Sequence, residues 1–398
     1  MAYPLSLDRH IRVKPIYPKY RLDDGCFRIG AQAGVTVEIS DPYGELWTLV
    51  DALDGSRPLG EVVAVVREAF PHLGLDDVLD AVRDLDARGF VEDAGPTAYD
   101  GDDLSRYVGN INYFSHYDRL SSQRGAIQDQ LRAAHCVLFG LGGGGSYILP
   151  LLLGAGFGQI TAVDYDRVER TNLNRQFLYR ESDLGSCKSE AAARIAGQLN
   201  PDVTFVPVQR KIESATQVAE LVRGADVAIC AIDEPPFIAQ RRVNAGCVRE
   251  SVPYVGGGSF VTRGRMFTVR PFETGCLDCL HLYYRRNDPK YLTKLGAALR
   301  SDLGSVTIAF PPHIALVAAM IAGEAIRLVT GHAEPIALAR QIDVHYETGA
   351  LQVMSAWPRD ETGCPVCGAG ADAGEFEVWR AGLSSPGAFA ELALEHED

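Results

Sequence analysis

Short apolar runs followed by helical patterns characterise the first part of the chain. The apolar runs lie at residues 27–29 and 35–39, and apolar residues recur at helical spacing in segments 43–53, 60–70 and 76–88. Gly89 ends the last helical segment, and Phe90-Val91 begins a further strand. This pattern predicts a small α+β domain of the winged-helix type over residues 1–95.

From Cys136 onward the pattern changes to strands and helices in regular alternation. Apolar runs predict strands at 136–139, 160–163, 203–208 and 227–231, with helices around 148–153, 189–199 and 218–223. Such alternation is typical of an α/β protein with a Rossmann-like, doubly wound parallel sheet. We therefore assign residues 105–370 to a second domain, the polar stretch 96–104 to a linker and the weakly patterned residues 371–398 to a C-terminal tail.

Composition and charge narrow the classes of partner. The 398 residues are 46% hydrophobic and 23% charged, as in globular proteins of more than one domain. The net charge is −14, and residues 1–100 hold ten Lys/Arg against eighteen Asp/Glu, which argues against a nucleic-acid partner. The apolar run 314–321 is shorter than the ~20 residues of a membrane span, and the charged N-terminus does not resemble a signal peptide. The sequence predicts a soluble, cytoplasmic protein with no membrane partner.

A glycine-rich turn joins the first strand of the alternating part to its helix. Gly140, Gly142 and Gly145 form the pattern Gly-x-Gly-x-x-Gly, and Asp164 follows the last of them by nineteen residues. Glycines let the main chain approach phosphates, the helix N-terminus supplies N–H donors, and an acid can hold a ribose diol. The motif alone fits a dinucleotide or ATP, and a tight turn without a ligand is the simpler alternative.

Charged residues after Asp164 favour a triphosphate. Arg175 and Lys188 place two cations in a polar stretch, and charge develops on the phosphates as pyrophosphate leaves. Asp233 follows the strand at 227–231, at the edge where such sheets bind ligands, and a carboxylate there suits Mg²⁺. We therefore expect Arg175, Lys188 and Asp233 to be catalytic residues of an ATP site, with Asp233 holding Mg²⁺.

Five motifs in fixed order resemble the ThiF/MoeB-like adenylating enzymes, the bacterial form of the ubiquitin-activating superfamily. They are Gly140–Gly145, Asp164 with Asp166, the TNLNRQ segment 171–176, Gly185–Lys188 and Ile232-Asp233. The resemblance covers about residues 105–370. It implies an ATP site formed by Gly140, Gly142, Gly143, Gly145, Asp164, Asp166, Asn172, Arg175, Lys188 and Asp233. It also implies attack of a carboxylate on the α-phosphate, an acyl-adenylate product with loss of pyrophosphate, and a homodimer.

One departure from the family pattern concerns an arginine that reaches the partner subunit's triphosphate. The family places it in a segment before the first strand, where this chain has Gly109. The segment 116–119 can be aligned instead, which would make Arg119 the substitute. The sequence leaves both alignments open.

The nine cysteines, with no export signal, do not indicate a disulfide framework. Four of them form Cys-x-x-Cys pairs whose thiolates fit a closed, structural Zn²⁺ site, as in many members of the superfamily; they are Cys276, Cys279, Cys364 and Cys367. The alternative is two unrelated pairs, one of them redox-active. Some relatives pass the acyl group to a cysteine of their own, for which the candidates here are Cys187, Cys230 and Cys247.

Two further segments resemble elements of known families. Residues 281–313 match the loop that crosses over the active site in the superfamily, and its basic residues would steer an acidic peptide terminus or form a solvated face; they are Arg285, Arg286, Lys290 and Lys294. Residues 49–95 resemble the PqqD-like recognition element, which captures a leader peptide as an added strand. The candidate groove lies between residues 35–39 and the helix with Val78, Val82 and Leu85.

Together these features resemble the peptide adenylyltransferases of microcin C-type pathways. The resemblance implies ATP-dependent adenylation of a carboxylate, the C-terminal one, of a ribosomally made precursor peptide whose leader binds the N-terminal domain. A leader-binding scaffold without catalysis is one alternative. An enzyme that activates a sulfur-carrier protein ending in Gly-Gly is the other.

Overall fold

The structure, a computed structural model, describes residues 5–22, 25–95, 99, 101–234, 236–300 and 308–369. The chain divides into two units, residues 1–130 and 131–398. The predicted tail 371–398 and most of the first half of the predicted linker lie outside the described residues.

The first unit contains six short strands and most of five helices among its described residues. The strands are β1 His10–Val13, β2 Lys19–Arg21, β3 Cys26–Ile29, β4 Val37–Ser40, β5 Asp54–Pro58 and β6 Val91–Asp93. The helices are α1 Glu45–Ala52, α2 Leu59–Ala69, α3 Leu75–Ala87, α4 Gly101–Ser115 and α5 Ala126–Ala133, the last of which crosses the boundary between the units.

These strands form two antiparallel sheets, in the orders β5-β1-β6 and β2-β3-β4. The sequence pattern predicted β3, β4, β6 and helices α1 to α3, but it missed β1, β2 and β5. Strand β5 has the sequence DGSRP, which contains no large apolar residue and ends in proline, so its pairing with β1 makes it a strand. Apolar residues of β1, β3 and helices α1 to α3 share one core.

The predicted linker at 96–104 stays a prediction. The boundary between the two compact units of the structure falls after residue 130. Residues 101–104, which we assigned to the linker, are the first turn of α4. The polar composition of this turn, with Asp102 and Asp103, explains why the sequence indicated a linker there.

The second unit is built around one large sheet with helices between its strands. The strands are β7 His135–Phe139, β8 Gln159–Val163, β9 Thr204–Val208, β10 Val227–Cys230, β11 Tyr254–Ser259, β12 Arg263–Val269, β13 Arg340–His345 and β14 Leu351–Ala356. The helices are α6 Gly143–Ala155, α7 Lys188–Leu199, α8 Ala215–Val222, α9 Ile238–Arg249, α10 Leu277–Asn287, α11 Tyr291–Arg300 and α12 Pro311–Thr330.

The strand order is β14-β13-β12-β11-β10-β7-β8-β9. The five neighbouring strands β11, β10, β7, β8 and β9 are parallel. The direction in which successive strands are added to the sheet reverses between β7 and β10, and doubly wound sheets bind ligands at such a point. The α/β, Rossmann-like fold class is therefore confirmed. The prediction of an all-parallel sheet was incomplete, because β12, β13 and β14 extend it with antiparallel pairs.

Helix α12 corrects the sequence analysis on one point. We counted an apolar run at 314–321, whereas the helix has 20 residues and is apolar enough, by length and composition alone, to cross a membrane. The core helix of a folded domain passes the same test, and α12 contacts α6, β10, β11 and β12. Its Glu324, fully buried, accepts hydrogen bonds from Thr268 and from the main chain of Ile336 and Ala337. The helix is thus part of the second unit's core.

Candidate functional site

The glycine-rich turn between β7 and α6 is tighter than any side chain would allow. Gly140 has a φ of 95°, and a Cβ there would lie 2.5 Å from the carbonyl oxygen of Ala231, just beyond β10. A Cβ on Gly145 would lie 1.9 Å from the carbonyl oxygen of Gly140. At Gly142, by contrast, the nearest atom to such a Cβ is Gln176 Nε2 at 3.8 Å. The turn therefore needs glycine at two positions for its own geometry, whereas the third position has room for a methyl group.

Asp164 holds this turn in place from the end of β8. Its Oδ2 accepts a hydrogen bond from the Leu141 N–H at 2.7 Å, and its Oδ1 accepts one from the Asp166 N–H at 2.8 Å. Burial raises the pKa of this carboxyl, whereas Lys188 and the two N–H donors lower it. Asp164 thus organises the turn, and its predicted contact with a ribose stays a prediction.

Lys188 is a buried cation at the first position of α7. Its side chain is 5% exposed, and its Nζ donates to Asp166 Oδ2 at 2.9 Å. The main-chain N–H of Lys188 also donates to the Asp166 carbonyl. A buried ammonium needs a counter-charge, and Asp166, whose side chain is 44% exposed, supplies it at the mouth of the site.

Asp233 lies just beyond β10, on the other side of the topological switch point from Asp164. Desolvation by the surrounding protein raises the pKa of its carboxyl group, and the negative charge of the neighbouring Glu234 raises it further. Lys188 and Arg175 lower the pKa of Asp233, so both cations act on this carboxylate across the site. A pair of acids facing two cations can hold a divalent ion together with phosphate oxygens.

The segment after Asp166 forms a short turn whose polar residues mostly serve that turn. Asn172 is buried, and its Oδ1 accepts a hydrogen bond from the Glu169 N–H. Arg175 donates to the Thr171 carbonyl at 2.6 Å and to Asn174 Oδ1 at 3.2 Å. Asn172 therefore fixes the loop that presents Arg175, and its predicted contact with ATP stays a prediction.

Two residues of this site were not singled out by the sequence analysis. Tyr179 is buried and donates its hydroxyl to the Leu141 carbonyl at 2.9 Å, which ties the loop to the glycine-rich turn. Gln176 is 3% exposed, and its Oε1 has no hydrogen-bond partner among the described residues. Gln176 was part of the TNLNRQ motif, whereas nothing in the sequence around Tyr179 signals its role.

Arg119, the alternative to the missing family arginine, is held by its own chain. Its Nη1 donates to the carbonyls of His116, Tyr117 and Asp118 at 3.4, 3.3 and 2.8 Å. The same nitrogen lies 2.9 Å from the position that a Cβ on Gly89 would occupy. Arg119 therefore stabilises the 116–119 turn in the first unit, and Gly109 in α4 supplies no side chain.

The four paired cysteines meet in one cluster in the second unit. Their Sγ atoms all lie within 4.8 Å of one another, and all four side chains are buried; they are Cys276, Cys279, Cys364 and Cys367. The Asp360 N–H donates to Cys279 Sγ, the Cys367 N–H donates to Cys364 Sγ, and Trp357 Nε1 donates to the Cys276 carbonyl. Four thiolates at this spacing with N–H donors suit a tetrahedral soft metal such as Zn²⁺.

The candidate acyl-accepting cysteines are all inaccessible. Cys187, Cys230 and Cys247 expose 5% or less of their surface. Burial raises the pKa of Cys230 to about 12 and that of Cys247 well above its ordinary value. Buried thiols are poorly accessible to a large acyl-adenylate, so the structure does not favour any of the three as an acyl acceptor.

The basic residues of the segment 281–313 are partly engaged in ion pairs; residues 301–307 of it lie outside the described part. Arg286 donates to Asp360, and Lys294 Nζ lies 2.7 Å from Asp288 Oδ2. Both side chains remain about two-thirds exposed, at 65% and 66%. Exposed basic side chains fit both a solvated face and peptide steering, so the two alternatives stay open.

Comparisons with known proteins find relatives over most of this chain. The ThiF family model matches residues 113–366. The molybdopterin-synthase adenylyltransferase of Salmonella typhimurium is 29% identical over 243 residues, which cover 61% of this chain and 90% of that enzyme. The sulfur carrier protein ThiS adenylyltransferase of Bacillus subtilis is 30% identical over 244 residues, 61% of this chain and 67% of that protein.

The likeness to a solved structure extends further along the chain. A crystal structure of Escherichia coli MccB with MccA superimposes with a TM-score of 0.70 and 23% identity, over 90% of this chain and 99% of that one. The match therefore includes most of the first unit, which the family model covers only from residue 113. At this identity it shows a shared fold. The resemblance of residues 49–95 to a PqqD-like element stays a prediction.

Proposed function

Because the chain belongs to the ThiF family, we propose that it adenylates a carboxylate with ATP, and that the carboxylate is the C-terminal one of a ribosomally made precursor peptide. The observation that carries the proposal is the charge arrangement at the switch point of the sheet. Buried Lys188 is paired with Asp166, and together with Arg175 it acts on Asp233. Charged groups gathered at this edge of a doubly wound sheet are typical of a site for a charged ligand.

The proposed reaction needs little covalent chemistry from the protein. A carboxylate oxygen of the peptide attacks the α-phosphorus, the bond from that phosphorus to the bridging oxygen breaks, and pyrophosphate leaves with that oxygen. Glycine at position 142, where the turn itself does not require one, lets phosphates approach the N-terminus of α6. Lys188 and Arg175 offset the negative charge that develops, and they need no proton transfer to do so.

Asp233, with Glu234 beside it, is the residue that would hold Mg²⁺ in this site. When bound, the ion neutralises part of the phosphate charge and favours departure of pyrophosphate. The carboxylate serves this role when it is ionised, and Lys188 and Arg175 both lower its pKa.

The peptide substrate is supported by the part of the chain that lies before the family match. Strand β4 pairs only with β3 among the described residues, so its outer edge is available for an added strand. The face of this sheet that carries the Arg28–Glu38 ion pair is exposed. A leader bound mainly through main-chain pairing at this edge would keep its affinity as salt is raised.

The groove that we expected beside α3 needs a correction in this proposal. Val78, Val82 and Leu85 expose 2%, 0% and 6% of their surfaces, so all three belong to the core of the first unit. Helical spacing alone could not distinguish core from groove positions. The β4 edge is therefore the part of the predicted clamp that we retain.

A homodimer and a structural Zn²⁺ complete the proposal. Phe260 and Val261, at the turn between β11 and β12, and Leu316 on α12 expose 52%, 65% and 43% of their surfaces, as residues of a subunit interface do in an isolated chain. The four clustered cysteines would hold the zinc, and the zinc would link two segments of the second unit that are distant in sequence.

The two alternatives make different predictions about substrates. A sulfur-carrier activating enzyme would respond to a small protein ending in Gly-Gly, and a scaffold would bind a leader without consuming ATP. The test is exchange of labelled pyrophosphate into ATP, with a candidate ribosomal precursor peptide, with the same peptide lacking its leader, and with a carrier protein ending in Gly-Gly. We expect exchange with the full precursor and a raised KM without the leader. Exchange with the carrier alone, or none with any of the three, would reject the peptide assignment.

A further inference from the structure

A buried polar network connects the cysteine cluster to the helix that follows Asp233. Asp278 lies between Cys276 and Cys279 at the start of α10, and it is 1% exposed. Its Oδ1 accepts hydrogen bonds from the Arg241 guanidinium, at 2.9 Å from Nε, and its Oδ2 accepts one from Asn244 Nδ2 at 2.8 Å. Both donors belong to α9, so one carboxylate joins the two helices.

The rest of this network engages the side-chain oxygen of Asn244. Its Oδ1 accepts hydrogen bonds from the Tyr254 hydroxyl at 2.6 Å and from the Leu277 N–H at 2.9 Å. Asn244 and Tyr254 have no exposed surface. A buried carboxylate held by a guanidinium and an amide has little freedom to move, because each displacement would leave a charged or polar group without its partner.

A second set of contacts carries the connection from α9 to the segment with Asp233. The Arg241 guanidinium lies 5.2 Å from the ring centroid of Phe237. The ring centroid of His281, on α10, lies 4.5 Å from the same Phe237 centroid. Phe237 has a φ of 67°, an unfavourable conformation for a residue with a side chain. The contacts of Arg241 and His281 with the Phe237 ring help to hold this backbone conformation. Phe237 lies four residues after Asp233.

We propose that Asp278 and Arg241 form a positioning pair through which the metal-bound cysteine cluster fixes the place of Asp233. Metal binding at Cys276 and Cys279 orders the first turn of α10, Asp278 then fixes α9, and Arg241 with His281 fixes Phe237. The pair touches no substrate. This inference rests on the proposed function for its consequence in catalysis, whereas the mechanical link can be measured without ATP.

The first experiment is hydrogen exchange, followed by mass spectrometry, on the full zinc-bound chain before and after removal of zinc with a chelator. In the wild type we expect exchange over residues 231–249 to rise at least about tenfold when zinc is removed. In the double variant Asp278→Asn with Arg241→Gln, which leaves no unpaired charge, exchange there should be fast with zinc bound and should not rise further. Unchanged exchange over 231–249 after zinc removal from the wild type would overturn the proposal.

Asp343→Asn is the matched control, because Asp343 is likewise buried and paired with an arginine, Arg265, but belongs to β13. We expect this variant to lose stability while exchange over 231–249 still responds to zinc as in the wild type. If Asp343→Asn abolished that response as the double variant does, the pair would be merely structural.

A kinetic measurement then separates positioning from general damage. With zinc retained, the double variant should need at least about tenfold more Mg²⁺ for half-maximal pyrophosphate exchange, while the rate at saturating Mg²⁺ changes less. An unchanged Mg²⁺ dependence would contradict the proposal. Absence of ATP turnover in the wild type would instead reject the proposed function, and the hydrogen-exchange result would still decide on the pair.

Discussion

Lys188 Nζ donates to Asp166 Oδ2 at 2.9 Å, and the same lysine lowers the pKa of two other carboxyl groups, those of Asp164 and Asp233. These three acids follow two different strands of the sheet, β8 and β10. One buried cation therefore balances the acids on both sides of the switch point, and removing it would leave all three with less compensation.

Lys188→Ala should reduce pyrophosphate exchange at least about 100-fold, which corresponds to about 3 kcal/mol of lost transition-state stabilisation. Arg194→Ala is the control, since Arg194 belongs to the same helix but pairs with Asp183 and is 53% exposed. Its effect on exchange should be less than about threefold. Equal losses in the two variants would show that α7 as a whole, and not the Lys188 charge, had been disturbed.

Gly142→Ala and Gly145→Ala should fail in different ways. A Cβ on Gly142 meets nothing closer than 3.8 Å, so the variant should fold normally but bind ATP weakly, because the methyl group occupies the space that phosphates need. A Cβ on Gly145 would collide with the Gly140 carbonyl oxygen at 1.9 Å, so that variant should be destabilised, by about 2 kcal/mol or more. Thermal unfolding and ATP-binding calorimetry on both proteins distinguish the two effects. Normal ATP affinity in Gly142→Ala would contradict the assignment of this position to phosphate binding.

Cys364→Ser should lose both metal and stability. Wild-type protein should contain about one zinc per chain by elemental analysis, and the variant clearly less, with a lower melting temperature. Cys26→Ser, in the first unit and outside the cluster, should retain the metal. A metal-free wild-type protein that is fully folded would contradict the structural-zinc assignment.

The pH dependence of stability should change sign between two buried aspartates. Burial raises the pKa of Asp118 to about 6, above its unfolded value of 3.8, so the folded state binds more protons and Asp118 costs stability as the pH rises through this interval. Asp118→Asn should therefore gain stability relative to the wild type between pH 4 and 7, by up to about 3 kcal/mol.

Asp343 provides the opposite case. Burial raises the pKa of its carboxyl, but hydrogen bonds and charge from Arg265 and Arg263 outweigh that effect and hold the pKa below 3.8. The carboxylate then contributes stability above the unfolded pKa that is lost as the pH falls, so Asp343→Asn should be most destabilising near neutral pH. Melting temperatures of both variants between pH 3 and 7 test this, and trends of the same sign would contradict the account.

The sequence predicted four of the five parallel strands, because strands such as β7, with its continuous apolar run, are buried on both faces. It did not predict β11, where glycines 256–258 interrupt the apolar run, or β12 to β14, whose place in the sheet depends on the pairing of β12 with β13, far along the chain. Strand β5 has no hydrophobic signal, and α12 was seen only in part because Glu324 and Arg327 interrupt its apolar run.

At the candidate site, the motif residues around the glycine-rich turn were identified from local order alone. The role of Asp164 as the anchor of Leu141 was not, since it depends on two strands that are neighbours only in the folded sheet. The Asp278–Arg241 pair joins residues 37 positions apart, and the sequence gives no periodic signal for it.

Transfer of oxygen from the substrate to AMP tests the central claim most directly. If the precursor's carboxylate attacks the α-phosphorus, one of its oxygens becomes the bridge to phosphorus in the acyl-adenylate. A peptide labelled with ¹⁸O in its C-terminal carboxylate must therefore leave one labelled oxygen on the AMP that is released when the acyl group is transferred to an acceptor. The label should appear in AMP from the wild type and be absent when Asp233→Ala is used. Recovery of unlabelled AMP, or of ADP and phosphate, from a peptide-dependent reaction of the wild type would contradict the account.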